Sequence, residues 1–456
     1  MRVGLFHGRK YYLRNVYTAL EALLEDGHEL VLTSPESKAR SVRVPVALRD
    51  HPRVTTALYP NRREDGLEPA VKILRAVRDA VRYELPQLRG AYANRRRAYR
   101  KLAAALSAPP VAEPPSLGLP AADLETFDAA LSDLEQLVPP NARLVRFIRE
   151  QRLDAAVSIS RVNFGGGDAE VIKAARAAGV PSALIVYSWD NLTSKALIHE
   201  HPDRVFVWNE IQVEEAADLH GIDAGRVVAT GAPRFDEFFA LAPSAPREEL
   251  LRRLGLDPAA ATVLYLGSSG FVTKREPELV ERWVAALRAS ADGRVREANV
   301  VVRPHPGTLD EPQWAGWSPS GERVAMPPPR RSPQDLLDTL SLADAVVALN
   351  TSAEIEAAIA GRPVLTIEVG GLAPGQEGSA HFRYLLAGEG GFVETATDLD
   401  EHLAQLRRAL AEDPFAGARQ RFLESFVRPR GLDRPAGREL AAEIEALAVH
   451  AFVQGR

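Results

Sequence analysis

Apolar and polar positions along the chain form a first series of alternating strand and helix patterns. It opens with the apolar run Arg2–His7, a helical pattern at 17–26 and a second apolar run at 29–33. After an interruption it resumes with strand patterns at 155–159, 182–187, 204–208 and 227–230, and with helix patterns at 168–178 and 211–220. Gly27 separates the first helix from the second strand, where a positive φ is expected. Strand–helix alternation predicts a parallel sheet with helices on its faces.

A second alternating series follows a Pro- and Ala-rich connection at 232–246. Its strand patterns are 263–266, 299–303, 345–349, 364–367 and 391–393, and its helix patterns are 276–290, 333–342, 353–360 and 399–411. The run at 345–349 is apolar throughout, as a strand covered on both faces requires. We therefore predict an α/β protein with an N-terminal Rossmann-like domain at 1–240 and a second domain at 241–430. A last helix over 436–452 lies in a closing segment, 431–456.

The segment at about 61–141 interrupts the first series. It contains a long helical pattern at 67–106 that breaks at Pro86, then a Pro-rich stretch, then a second helical pattern at 121–137. We interpret it as a helical, Pro-rich insertion within the first domain. Two successive parallel domains predict a ligand cleft between the carboxyl edges of their sheets.

Composition removes several classes of function. The 456 residues include no cysteine, which excludes disulfides, thiolate nucleophiles and Cys-ligated metals. The net charge of −5 gives no global basic field for nucleic acid. The N-terminal apolar run is too short for a signal peptide, and no apolar run reaches the roughly 18 residues of a transmembrane helix. We expect a cytoplasmic protein whose contact with a membrane, if any, is peripheral.

The most informative motif is the 303–307 loop, Arg303-Pro304-His305-Pro306-Gly307, at the end of a predicted strand. A cation and a histidine in a Pro-stiffened loop form a rigid corner that can stabilise the growing charge of a departing phosphate. An ordinary turn with a surface histidine is the alternative. The position at a strand end favours the functional interpretation.

A second motif is the 351–356 helix start, Thr351-Ser352-Ala353-Glu354-Ile355-Glu356, which follows the most apolar strand. Backbone amides and two hydroxyls at such a start suit a phosphate. Thr351 and Glu354 have the spacing of a capping box, so Glu354 has a structural explanation. Glu356 has none, and we expect its carboxylate to accept hydrogen bonds from a ribose diol; the alternative is a solvated helix residue.

A third motif is the 267–270 loop, Gly267-Ser268-Ser269-Gly270, which follows the first strand of the second domain. Glycines allow backbone amides to approach a diphosphate, and Lys274 nearby would offset its charge. Gly-Ser turns are common, so the pattern alone is weak. Its value is that it falls on the same predicted sheet edge as the other two motifs.

In the first domain, Ser188-Trp189-Asp190-Asn191 follows a predicted strand. Asp190 is a candidate general base for an acceptor hydroxyl, with Trp189 and Asn191 on the acceptor side and the Trp189 ring able to stack on a sugar. An Asx-turn with a packed Trp is the alternative. The glycines at 165–167 predict a flexible acceptor-side loop, since their spacing is not that of a dinucleotide fingerprint.

Two metal-like motifs and one basic run raise the questions of a metal site and of membrane contact. Asp398-Leu399-Asp400 imitates a metal-binding Asp-x-Asp but begins a helix, where aspartates act as caps, and His199-Glu200-His201 lacks the i, i+4 spacing of helical ligands. We therefore expect no metal. The run at 83–106 interleaves basic and aromatic residues, which is compatible with peripheral contact with an anionic membrane or with a solvated face.

With these motifs in view, the second half of the chain resembles the nucleotide-binding domain of GT-B enzymes that build bacterial surface carbohydrate. Similar families are the CDP-glycerol glycerophosphotransferase-like, Kdo- and sialyltransferase-like, and UDP-GlcNAc 2-epimerase-like proteins. The residues that carry the resemblance lie between 154 and 447: the 303–307 loop, Thr351-Ser352, 356–364, 230–236 and Phe426-Val427-Arg428-Pro429.

The resemblance implies a GT-B fold, His305 at the donor phosphate, Glu356 at the ribose, and a last helix that crosses back to the first domain. It implies a glycosyltransferase that needs no cofactor besides a nucleotide-sugar donor and acts on a glycan or lipid-linked acceptor. The epimerase pattern has Ser-Gly-Gly where this chain has Thr351-Ser352-Ala353. A UDP-sugar 2-epimerase and a catalytically silent binding module remain alternatives.

Overall fold

The computed structural model describes residues 1–8, 10–38, 44–88, 90–110, 117–307, 314, 317–318, 321–327, 332–369, 371, 373, 376 and 380–453. The chain divides into two compact units. Unit 1 comprises Met1–Asp236 and Glu424–Arg456, and unit 2 comprises Glu237–Leu423.

Unit 1 is built on a parallel sheet of seven strands in the order β3-β2-β1-β4-β5-β6-β7. The strands are β1 (Arg2–His7), β2 (Glu29–Pro35), β3 (Val54–Tyr59), β4 (Ala155–Ser160), β5 (Ser182–Val186), β6 (Arg204–Val207) and β7 (Val227–Ala229). All were predicted except β3, which is an edge strand whose residues are half-buried or exposed.

Among the described residues, the helices of unit 1 that precede the boundary are α1 (Tyr17–Glu25), α2 (Val46–Arg49), α3 (Glu68–Val81), α4 (Tyr92–Ala105), α5 (Ala121–Leu137), α6 (Ala142–Gln151), α7 (Gly167–Ala178), α8 (Asn191–Ser194) and α9 (Glu210–His220). Gly27, just after α1, has φ +89°, as its position predicted. The sequence did not predict α6, which begins at a capping Asn141 whose side chain accepts from the amide of Arg143.

The insertion forms α3, α4 and α5, and buried charges join it to the rest of unit 1. Arg75 on α3 lies 2.7 Å from Glu135 on α5 and 2.9 Å from Glu170 on α7. Lys173 on α7 lies 2.9 Å from the same Glu135, which is fully buried. Because an unpaired buried charge is strongly unfavourable, this network fixes α5 against α7.

Unit 2 is built on a parallel sheet of six strands in the order β10-β9-β8-β11-β12-β13. The strands are β8 (Thr262–Leu266), β9 (Asn299–Arg303), β10 (Val324–Ala325), β11 (Ala345–Ala348), β12 (Val364–Ile367) and β13 (Val393–Ala396). Its helices, counting one that crosses the boundary, are α10 (Asp236–Ala240), α11 (Arg247–Arg253), α12 (Glu276–Ala289), α13 (Gly293–Arg296), α14 (Pro333–Leu342), α15 (Ala353–Ile359), α16 (Leu399–Ala411) and α17 (Ala416–Phe422). Its core surrounds the fully buried Trp283.

The last helix, α18 (Ala436–Val453), packs within unit 1. Leu440 and Ile444 join the core around Leu20 and Leu23 of α1. Asp236 anchors the start of this helix: its carboxylate accepts from the amides of residues 436 and 437 at 3.0 and 2.7 Å and from Arg428 at 2.7 Å. The first turn of α18 is therefore capped by a residue 200 positions earlier.

Candidate functional site

Two of the predicted loops lie against each other at the carboxyl edge of the unit 2 sheet. The 267–270 loop follows β8 and the 303–307 loop follows β9, its partner strand. The amide of Gly267 donates to the carbonyl of Arg303 at 2.8 Å. A Cβ on Gly267 would lie 2.7 Å from the amide nitrogen of His305, so only glycine permits this contact.

The 351–356 helix start lies at the same edge, because β11 pairs with β8 on its other side. The capping box forms only in part. The amide of Thr351 donates to Glu354 at 3.2 Å, but the amide of Glu354 donates to the carbonyl of Thr351 rather than to its hydroxyl. Burial raises the pKa of Glu354 to about 8. Glu356 is 9% exposed, so the solvated-residue alternative does not describe it.

Glu276, which was not predicted as a functional residue, organises the 267–270 loop. This first residue of α12 is fully buried and accepts from the amide and hydroxyl of Ser268 at 2.7 and 2.8 Å and from Tyr265 at 3.2 Å. Burial raises the pKa of Glu276 to about 7, against the lowering effect of these hydrogen bonds. The amide and the hydroxyl of Ser268, a predicted nucleotide contact, are thus both engaged by Glu276 within the protein. A Glu-Pro pair opening a helix just after a Gly-Ser loop was the available signal.

The two basic residues of the 303–307 loop, Arg303 and His305, have different surroundings. Arg303 is 5% exposed and lies 2.6 Å from Asp335 and 2.9 Å from the Thr339 hydroxyl, so it holds α14. His305 is half-buried, and its Nδ1 accepts from the amide of Gly307 at 3.0 Å. In the neutral ring the proton is then on Nε2, which is a hydrogen-bond donor.

A cavity of about 630 Å³ lies at the carboxyl ends of β12 and β13 in unit 2. Its lining includes Arg275, Arg282, Glu368 and Asp398. Lys274, one residue before Arg275, is exposed. The volume is in the range of small-molecule sites, and cations line part of the wall.

In unit 1 the Asp190 carboxylate is held by the turn that follows it. It accepts from Asn191 at 2.9 Å and from the hydroxyl of Ser194 at 2.8 Å, and the ammonium of Lys195 lies 3.1 Å away. Asn191 is buried. Trp189 is 2% exposed and its ring packs edge-on against Phe426. The ring lies in the core, as in the packed-Trp alternative, and does not present a face for a sugar.

The insertion holds the segment after Asp190. Arg82, buried at the end of α3, donates to the carbonyls of Lys195 and Ala196 at 3.1 and 2.6 Å, and also to that of Leu192. The Tyr83 hydroxyl donates to the Lys195 carbonyl at 2.6 Å. Buried side chains from the insertion therefore fix the backbone beside the candidate base.

The contacts of Arg82 and Tyr83 with the 192–196 backbone form a clamp, and the sequence contained a pattern that indicates it. Arg75, Arg78, Asp79 and Arg82 recur at i, i+3, i+4 and i+7, a spacing that normally carries apolar core residues. All four are buried. Charged residues at core spacing thus indicated a helix buried through polar contacts.

Among the glycines at 165–167, which were expected to form a flexible loop, Gly166 is closely packed. Gly166 has φ +58°, and a Cβ there would lie 2.8 Å from Arg75 and 2.9 Å from His199. Its carbonyl accepts from Arg75 at 3.0 Å. The glycine is required by close packing.

Residues of the two metal-like motifs form hydrogen bonds or ion pairs within the protein. Asp398 caps α16, accepting from the amide of Glu401 at 2.8 Å, which confirms its predicted capping role. His199 lies 3.0 Å from Asp79, and Glu200 pairs with Arg176. Within the described ranges, no three His, Asp or Glu side chains are grouped as metal ligands would be.

The basic run at 83–106 is partly internal. Tyr83 is fully buried, Arg95 lies 2.8 Å from Glu84, and the Tyr99 hydroxyl donates to Glu84 at 2.9 Å. Arg89 lies outside the described residues. No helix in the part of the chain that the structure describes has the length and apolar character to cross a membrane.

Comparison with known proteins gives similarity of fold. No family profile matches the sequence, and no curated protein matches it at a significant level. The structure is similar to UDP-GlcNAc 2-epimerase from Methanocaldococcus jannaschii, with a TM-score of 0.50, 10% identity and coverage of 98% of this chain and 100% of that one. It is equally similar to the calicheamicin glycosyltransferase, with a TM-score of 0.50, 15% identity and 98% coverage of both chains. The chain thus has the GT-B fold.

Proposed function

We propose that this protein is a glycosyltransferase. It moves a sugar, or a glycerol-phosphate-like group, from a nucleotide-activated donor to an acceptor hydroxyl in surface polysaccharide or glycolipid assembly. Unit 2 takes the donor, and unit 1 takes a glycan or lipid-linked acceptor.

The observation that carries this proposal is the meeting of the 267–270 loop, the 303–307 loop and the 351–356 helix start at one sheet edge. Ligands of open parallel sheets bind at the carboxyl ends of the strands. His305, with Nδ1 occupied by the amide of Gly307, directs its proton to Nε2, where it can donate to a phosphate oxygen as the nucleotide leaves.

The donor side uses hydrogen bonds and protein cations, and we propose that it needs no metal ion. Ser269, Lys274, Thr351 and Ser352 supply polar and charged groups around the phosphates, and Glu356 accepts from the ribose. Arg303 contributes by fixing α14 through its ion pair with Asp335.

On the acceptor side, Asp190 takes the proton of the attacking hydroxyl. Ser194 and Lys195 hold the carboxylate in place at 2.8 and 3.1 Å, and the clamp from Arg82 and Tyr83 fixes the backbone that carries them. A base that is positioned before the substrate arrives is the arrangement that general-base catalysis requires.

A UDP-sugar 2-epimerase is the second candidate, since the fold similarity to the M. jannaschii epimerase has the same TM-score as that to the glycosyltransferase. An epimerase needs no acceptor. Inversion at C2 of the sugar breaks a C–H bond, so the two activities differ in the bond that must break.

We also propose a cytoplasmic location, with peripheral contact between the 83–106 run and the inner face of an anionic membrane. Arg96, Arg100 and Lys101 are the exposed basic residues of this run among those described. Replacing all three with Gln should weaken pelleting with anionic vesicles, each basic residue being worth about 1 kcal/mol near the surface. Equal pelleting of the triple variant and the parent would remove the membrane from the proposal.

The test of function begins with nucleotide binding. Melting temperatures are measured with UDP, CMP, CDP, GDP and dTDP, with and without Mg²⁺. We expect one pyrimidine nucleotide to stabilise the protein, by about 2.7 kcal/mol at 100 times its Kd, with little dependence on Mg²⁺. If no nucleotide shifts the melting temperature at millimolar concentration, both enzymatic proposals fail.

The matching nucleotide sugar then separates the activities. Transfer requires release of free nucleotide that rises when an acceptor is added. Epimerisation in D₂O would place deuterium at C2 of the intact nucleotide sugar, visible by NMR without any acceptor. Binding with neither reaction would leave the chain as a binding module.

A further inference from the structure

Three cationic side chains meet at the carboxyl edge of the unit 1 sheet. Arg161 is the first residue after β4, and Lys195 follows α8, which comes after β5, the partner strand of β4. Arg97, on α4 of the insertion, lies against the ring of Phe164, three residues after Arg161. The Asp190 carboxylate lies 3.1 Å from the Lys195 ammonium.

Both arginines are laid against aromatic rings at this edge. The guanidinium carbon of Arg97 lies 5.6 Å from the centre of the Phe164 ring, and that of Arg161 lies 5.8 Å from the centre of the Tyr187 ring. An aromatic ring holds a guanidinium that lies over its face, and the N–H donors of the guanidinium point outward in the guanidinium plane. Arg97 and Arg161 are half-buried, so solvent and solutes reach them.

The charges act on one another. Burial lowers the pKa of Arg97, and the nearby charge of Arg161 lowers it further. Burial also lowers the pKa of Lys195; Asp190 opposes this shift, while Arg97 and Arg161 add to it. Each of the three cations thus feels the charge of the others, and a negatively charged group near them would be attracted to all three.

We propose that Arg97, Arg161 and Lys195 bind an anionic group, a phosphate or a carboxylate, in unit 1 beside Asp190. This inference rests on the proposed function. The acceptor is then a phosphorylated or acidic molecule, and its anionic group positions its hydroxyl near Asp190. This site also gives a reason for the basic residue at position 97 of the 83–106 run, because Arg97 faces this edge and not a solvated surface.

The test uses inorganic phosphate and the full-length protein, with binding measured by calorimetry. Arg97→Gln and Arg161→Gln should each weaken phosphate binding by about tenfold or more, the usual effect of losing a charged hydrogen bond. Arg96→Gln, an exposed neighbour on the same helix, should bind as the parent does, and Arg97→Lys should keep most of the affinity because the charge remains.

Two further arms identify the site and the source of the anion. Phosphate binding that persists in the presence of saturating nucleotide separates this site from the donor loops of unit 2, and the calorimetric readout does not depend on turnover. Pelleting with phosphatidylglycerol vesicles that is lost in Arg97→Gln assigns the anion to a lipid headgroup; phosphate binding without pelleting assigns it to a soluble molecule. Unchanged phosphate binding in both Arg→Gln variants, or none in the parent, overturns the proposal.

Discussion

The phenolic hydroxyl of Tyr83 donates a 2.6 Å hydrogen bond to the backbone carbonyl of Lys195, the residue whose ammonium pairs with Asp190. The two residues are 112 positions apart. Together with Arg82, this buried side chain connects the insertion to the proposed acceptor side of unit 1.

Tyr83→Phe should lower both stability and turnover. The change keeps the ring and leaves the Lys195 carbonyl without its phenolic donor, so we expect a loss of about 1–2 kcal/mol in the free energy of unfolding. It should lower kcat while the Kd of the nucleotide, bound by unit 2, stays constant. Urea unfolding and steady-state kinetics measure the two effects, with the exposed Tyr92→Phe as the control. A nucleotide Kd that rises with the loss of kcat would contradict this placement.

Asp190→Asn should reduce transfer to the acceptor by roughly 10²–10⁴, the contribution of a general base. Asn keeps the size of the side chain and an oxygen for the Ser194 hydroxyl. Nucleotide binding, read by thermal shift, should be unchanged. A variant with parental kcat would exclude Asp190 as the base.

His305→Ala should lower kcat by roughly 10²–10³, the effect of losing one donor to a charge that develops in the transition state. The donor KM should change much less, because the contact strengthens as the nucleotide leaves. His305→Gln offers an amide donor at a similar reach and should restore part of the rate. If Ala and Gln behave alike, the donated hydrogen bond is not the role of His305.

Glu276→Gln should flatten the pH dependence of stability. The pKa of Glu276 is raised from 4.5 to about 7, so between these values the folded protein holds a proton that the unfolded chain has lost. Its contribution is therefore full below about pH 4.5 and is lost as the pH rises through about 7. Melting temperatures across this window should fall less in the variant than in the parent. Glu278→Gln, an exposed neighbour paired with Arg275, should track the parent; equal slopes in all three proteins would contradict the assignment.

The sequence was sufficient for the features that depend on neighbouring residues. Continuous apolar runs located β8, β9 and β11, and parallel alternation then placed the three unit 2 loops at one edge. The Asp398 cap follows from a local pattern as well. β3 was missed because its pattern is half-exposed and weakly apolar.

Contacts between distant residues could not be predicted in this way. Arg82 reaches carbonyls more than 100 positions away, and a charge in a helical pattern does not show whether solvent or backbone surrounds it. Likewise the burial of Trp189 depends on Phe426, which arrives from the far end of the chain.

The anchoring of α18 by Asp236 also bears on the order in which the two units can complete their folding during synthesis. All of unit 2 is synthesised before residues 424–456, whereas unit 1 needs those residues to fill the core around Leu20 and Leu23. The domain that begins the polypeptide is thus the last to be completed. A ribosome that stops near residue 423 releases a chain whose unit 2 is whole and whose unit 1 has an open, apolar gap, the kind of surface that chaperones and proteases detect.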